Sequence, residues 1–77
     1  MQVQDFLKDF ESQFDDVPAG TLNLQTELES IDEWGSLQAL TIIAMIDSNY
    51  KVKVSGDEIN NAKTVGEIYE LVKNRQS

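Results

Sequence analysis

The sequence predicts an all-α fold of three main helices and one short one, and three observations carry that prediction. Apolar residues recur at steps of three and four near both ends of the chain, in Val3 to Phe14 and again from Val65 to Val72. Between them, Leu37 to Ser48 is apolar nearly throughout. The one strand-like alternation, Lys51-Val52-Lys53-Val54, has no second run to pair with, so it reads as an extended connection whose valines plug the core.

The first helix runs over Val3 to Phe14, with Val3, Phe6, Leu7, Phe10 and Phe14 on one stripe, and Pro18 and Gly20 end it. The segment from about Val17 to Gly35 is polar and acidic, but Leu22, Leu24, Leu28 and Ile31 pin it to the core, and Thr26 to Ile31 can form a short helical turn. The second helix, Leu37 to Ser48, is the most buried element. At 100° per residue Gln38, Thr41 and Ser48 gather on a narrow wet arc, flanked by Leu37, Ala44 and Met45, with Ala39, Ile42, Ile43 and Ile46 opposite. Ser55-Gly56-Asp57-Glu58 fits a capping box and starts a short helix to about Asn61. Thr64-Val65-Gly66-Glu67 repeats that signature and starts the last helix, whose stripe is Val65, Ile68, Leu71 and Val72 and whose end carries Lys73 and Arg75, cations that complement a helix C-terminus.

Composition narrows the function. A chain of 77 residues has room for one small core, so residues 1–77 read as a single domain. With no Cys and no His it can form neither a disulfide nor a Cys/His metal site, and it cannot run Cys/His or Ser/His/Asp nucleophilic chemistry, so an enzyme is not expected. Fourteen acidic against six basic residues leave a formal charge of -8. Such a chain repels nucleic acid and anionic lipid and attracts a basic protein surface. A calcium loop over Asp47 to Glu58 fails at its centre, where Lys51 and Val52 stand in place of an oxygen ligand and a glycine. The opening MQVQDFLKDF has no basic n-region, and no stretch approaches a membrane span, so a soluble cytoplasmic chain is expected.

The informative site is Trp34-Gly35-Ser36-Leu37, where the acidic loop ends and the most apolar helix begins. Here the sequence resembles the acyl carrier protein family, which carries an Asp-Ser-Leu motif at the start of its second helix, often after a Trp. Trp34, Ser36 and Leu37 match, and Gly35 stands where the family usually has Asp. The resemblance extends from about Val3 to Val72, through the Tyr50-x-Val52-x-Val54 passage, the short capped helix and the Thr64-Val65-Gly66-Glu67-Ile68 start of the last helix. It implies a small four-helix bundle of acyl carrier protein type and a covalent 4'-phosphopantetheine arm on Ser36 that holds an acyl, aminoacyl or polyketide intermediate as a thioester. In the family the aspartate missing here helps the modifying transferase position its metal and the serine.

The implied partners are a phosphopantetheinyl transferase and acyl- or aminoacyl-loading and synthase enzymes with basic docking patches, engaged by a monomeric carrier. Gly35, Leu37, Gln38, Thr41, Met45 and Asp47 are the candidate docking residues, with the apolar side chains holding the complex and Asp47 and the loop acids Glu27, Glu29, Asp32 and Glu33 steering it. Two alternatives stay open. Ser36 could merely cap its helix, and the chain could be a small acidic helical adaptor without a covalent arm, the reading that Gly35 favours.

Overall fold

The computed structural model describes residues 2–18 and 20–76. Four α-helices follow one another: α1 (Val3–Glu11), α2 (Ser36–Tyr50), α3 (Gly56–Asn61) and α4 (Val65–Gln76), with a 3-10 turn at Leu28–Ser30 between the first two. No β-strand forms among the described residues, and α2 packs against the other three helices. The predicted all-α class is therefore the observed one. Phe6 and Phe10 of α1, Ile42 and Ile46 of α2, Ile59 of α3 and Val65, Ile68 and Val72 of α4 are wholly buried together. Val52 and Val54 close the core from an extended connection, as their alternation predicts.

Two helix ends differ from the sequence expectation. The stripe reaches Phe14, but α1 stops at Glu11, because Ser12 Oγ (2.7 Å) and Gln13 Nε2 (3.2 Å) both donate to the Asp9 carbonyl and tighten the chain into turns. Phe14 remains buried beyond the helix end. α2 runs past Ser48 to Tyr50 and ends at Lys51, which adopts the left-handed conformation at φ 59°. There the Tyr50 hydroxyl donates to Asp9 Oδ2 at 2.5 Å and ties the end of α2 to α1. Burial, followed by that carboxylate, pushes the Tyr50 phenol above its ordinary range.

The long connection from α1 to α2 is held by two carboxylates. Glu11, only 8% exposed, accepts from the amides of Gly20 (3.1 Å) and Leu22 (2.8 Å). Glu33 accepts from Asp15 (3.1 Å) and Asp16 (2.8 Å). The far half of the connection is laced to the start of α4, where the Leu28 amide donates to Lys63, Val65 to Thr26 and Gly66 to Leu24, at 2.8, 3.0 and 2.9 Å. This lacing explains Gly66, since a Cβ there would lie 2.7 Å from the Leu24 carbonyl oxygen.

Both predicted capping boxes form. Ser55 Oγ accepts from the Glu58 amide while Glu58 Oε1 accepts from Ser55, and Thr64 and Glu67 exchange the same pair of bonds. Arg75 reaches across to Glu58 and to the Lys53 carbonyl, joining the end of α4 to the start of α3. Its guanidinium, by hydrogen bonding, holds the Glu58 carboxyl below the usual carboxylate range. The ion pair therefore contributes above the ordinary carboxylate pKa and is lost as pH falls through the lowered folded value.

Two outcomes follow from this packing. Gly66→Ala gains about 1 kcal/mol of helix propensity at most, against about 1–3 kcal/mol for forcing a methyl into a close-packed backbone contact, so the net change is destabilising and appears as a lower urea midpoint. Arg75→Ala raises the Glu58 pKa toward the ordinary range, which a carboxyl titration followed by NMR reads directly.

Candidate functional site

The start of α2 is built by residues on both sides of it. Trp34 stacks on Phe10 at a centroid distance of 6.4 Å and an interplanar angle of 19°, and lies 6.5 Å from Phe14. Its amide donates to the Ile31 carbonyl at 2.9 Å. Glu33 is fastened to the residues after α1, and the Gln38 side-chain amide donates to the Gln13 carbonyl at 2.7 Å. The backbone is thus anchored immediately before and after Gly35-Ser36-Leu37, while those three residues themselves stay exposed.

Gly35 occupies the N-cap position with extended backbone and no side-chain cap, and Ser36 is the first helical residue. The Ser36 hydroxyl makes no hydrogen bond among the described residues, so capping does not account for a serine at this position. The first helical bond runs from the Ala39 amide to the Gly35 carbonyl at 2.9 Å. The amides of Ser36, Leu37 and Gln38 therefore point out of the helix end unpaired by it, and the first turn carries no acidic side chain. An exposed hydroxyl beside a positive helix terminus can accept a phosphate-bearing group, and its surroundings favour the resulting anion.

The outer face of α2 is turned from the one its sequence suggests. Exposed residues are Ser36, Leu37, Leu40, Ala44, Asp47, Ser48 and Asn49, with Leu37 at 79% and Leu40 at 62%. Met45, expected beside the wet arc, is 6% exposed and belongs to the core, so it offers no surface to a partner. Gln38 is half-buried against the turn after α1, and Thr41 is half-buried with its hydroxyl donating to the Leu37 carbonyl at 3.2 Å. The cause is that a helix apolar almost all round has no strong dipole of hydrophobicity. The polar Gln38 satisfies a backbone carbonyl inside the fold while two leucines face out. Asp47 is exposed and lies 3.1 Å from Lys53. Glu33, expected among the steering acids, also accepts from the Asp15 and Asp16 amides, which hold its charged carboxylate beside the start of α2. Leu40 escaped the sequence reading, although it lies four residues after Ser36 and three after Leu37, the spacing that places all three on one face.

The fold and site define a small helical bundle with a long tethered connection and an uncapped, exposed serine at the head of its central helix. The chain is similar to the solution NMR structure of holo acyl carrier protein from Geobacter metallireducens, with a TM-score of 0.78 and 32% sequence identity over 97% of this chain and 86% of that one. It belongs to the acyl carrier protein family. No protein-family model matches the chain, and no curated protein matches it.

Because the Ser36 hydroxyl caps nothing, Ser36→Ala should leave stability within about 0.5 kcal/mol of wild type, the range of an unengaged surface position. Chemical denaturation checks this, and a loss of the ~1 kcal/mol typical of a removed cap would show that the hydroxyl holds the helix.

Proposed function

We propose that the protein carries an acyl, aminoacyl or polyketide intermediate as a thioester on a 4'-phosphopantetheine arm attached to Ser36. The observation that carries this reading is the exposed Ser36 hydroxyl, held at a fixed helix start yet bonded to nothing among the described residues. Ser36 Oγ forms the new bond to phosphorus as the pyrophosphate linkage of coenzyme A breaks, and adenosine 3',5'-bisphosphate leaves. The hydroxyl proton goes to a base on the transferase, since no side chain of this chain hydrogen-bonds the Ser36 oxygen among the described residues. The unpaired amides of the first turn and the helix dipole favour the phosphodiester anion that results. When bound, the arm supplies the terminal thiol on which cargo is held. Leu37 and Leu40 flank Ser36 on the face that partner enzymes would meet.

The second reading, an acidic adaptor without an arm, draws on Gly35 in place of the family's aspartate. The backbone does not require glycine there: its φ of 177° is extended and a Cβ would meet nothing within 4 Å. An aspartate therefore fits without strain, and near the helix N-terminus it adds ~0.3–1 kcal/mol of stability.

The two readings separate in one experiment. The protein is incubated with coenzyme A and a broad-specificity phosphopantetheinyl transferase, and its intact mass is followed with time. Wild type gains a single arm, Ser36→Ala gains none, and Gly35→Asp loads faster than wild type. An arm on the alanine variant would move the site elsewhere. Failure of both wild type and Gly35→Asp to load would favour the adaptor, and equal rates for the two would make the missing aspartate irrelevant to the chemistry.

A further inference from the structure

Two side chains near Ser36 are seated on the same short turn. Glu33 accepts from the Asp15 and Asp16 amides, and Gln38 donates to the Gln13 carbonyl at 2.7 Å, so residues 13–16 hold the chain on both sides of the serine. The bond from Gln38 spans 25 residues of sequence and is partly shielded from water. Its direction matters more than its strength. Successive residues of an α-helix are turned by about 100°, so Gln38, two residues after Ser36, points about 200° away from it, to the other side of the helix. Burial alone sets this rotation weakly, because α2 is apolar on nearly every side: Ile42 and Ile46 are wholly buried, while Leu37 and Leu40, large enough to fill a core, are exposed. Such a helix needs a polar contact to select one setting, as a single polar residue at a core position fixes the register of a coiled coil.

The geometry points to Gln38 as a positioning residue for Ser36: its amide, held inward by the Gln13 carbonyl, fixes the rotation of α2 that turns the serine hydroxyl to solvent. Gln38 makes no hydrogen bond to that hydroxyl among the described residues, so it acts through the backbone of the first turn. Its amide is engaged inside the fold and is not free to meet a partner, as the sequence alone suggests. A rotation that carried Leu37 or Leu40 inward would take this donor away and leave the Gln13 carbonyl short of a partner in a part-buried place. Glu33 completes the arrangement by fixing the backbone that enters the helix, and Gln38 fixes the turn that leaves it. The inference rests on the carrier reading only for the reaction that would sense the position of Ser36. Misplacing a reacting atom by about 1 Å can cost a hundredfold in rate, so even a partial loss of the setting is measurable.

The test compares the full wild-type chain with Gln38→Met and Gln38→Glu, which keep the length of the side chain but, at neutral pH, lack its N–H donor. Both replacements match glutamine in helix propensity, so the helix itself is not weakened, and circular dichroism verifies the fold. In both variants the amides of residues 35–37 should show exchange in relaxation dispersion, or order parameters lowered from about 0.85 toward 0.6. The variants are then loaded from coenzyme A by an excess of a broad-specificity phosphopantetheinyl transferase in a single turnover. Gln38→Met should load about tenfold more slowly at saturating transferase, with the half-saturating concentration within about twofold of wild type. The inference is overturned if both variants keep rigid amides and the wild-type rate. It is also overturned if the loss in Gln38→Met lies wholly in the half-saturating concentration, or if Gln38→Glu loads faster, because position 38 would then be read by the transferase directly. Should wild type gain no arm, the carrier reading fails on its own, and the relaxation measurement still decides whether Gln38 sets the start of α2.

Discussion

The bonds from Glu11 to the amides of Gly20 and Leu22 decide whether the long connection after α1 is part of the fold or hangs from it. A carboxylate at the C-terminal end of a helix is disfavoured by the macrodipole, and burying it costs more, so Glu11 is tolerable only because two backbone donors meet it. In return it closes a loop that this chain, with no cysteine and no histidine, cannot close by a disulfide or a Cys/His metal site. Once Leu22 is fixed, Leu28 and Ile31 drop into the core, and Glu33 fastens the other end of the connection to the residues after α1. The position of Ser36 is inherited from this sequence of restraints, not from contacts of its own.

The parts of the fold that were legible in the sequence are those whose causes are local. The pairs Ser55 with Glu58 and Thr64 with Glu67 lie three residues apart, and both form the reciprocal bonds their spacing implies. Val52 and Val54, and the Phe6 and Phe10 stripe, likewise lie where their periodicity places them. Causes separated along the chain left no such signal. Glu11 and Glu33 look like ordinary surface acids until the loop amides they hold are known, and Gly66 looks like a weak helix residue until Leu24 is seen against it. The orientation of α2 has no local signal for a related reason. With apolar residues on nearly every side, its few polar groups do not mark the wet face: Gln38 turns inward to the Gln13 carbonyl and Met45 fills the core. Ser36 and Leu37 at the helix start are legible in the sequence; Leu40, which shares their face, is lost among the apolar residues around it.

The start of α2 departs from what helix stability alone would select. A side-chain cap is absent at Gly35, the first turn carries no acid, and two large apolar residues face water. Each departure forgoes a small, easily obtained gain, and together they coincide with the exposed hydroxyl. Such local inconsistency in an otherwise consistent fold is where function is expected to reside. The surrounding restraints show how the cost is contained: Trp34 is stacked on α1 on one side and Gln38 is bonded to the turn after α1 on the other, so the exposed segment is short and both its ends are tied to the fold.

The stacked ring of Trp34 also gives the protein an internal optical label. It is the only tryptophan in the chain, half-buried against Phe10 and Phe14. Its Cα is two steps from that of Ser36, a separation of at most about 7 Å. A group joined to the serine, or a surface pressed over it, that comes against this ring would change the polarity and quenching seen by one indole. Emission from the native chain can therefore report the chemical state of its second helix with no dye attached and no residue replaced.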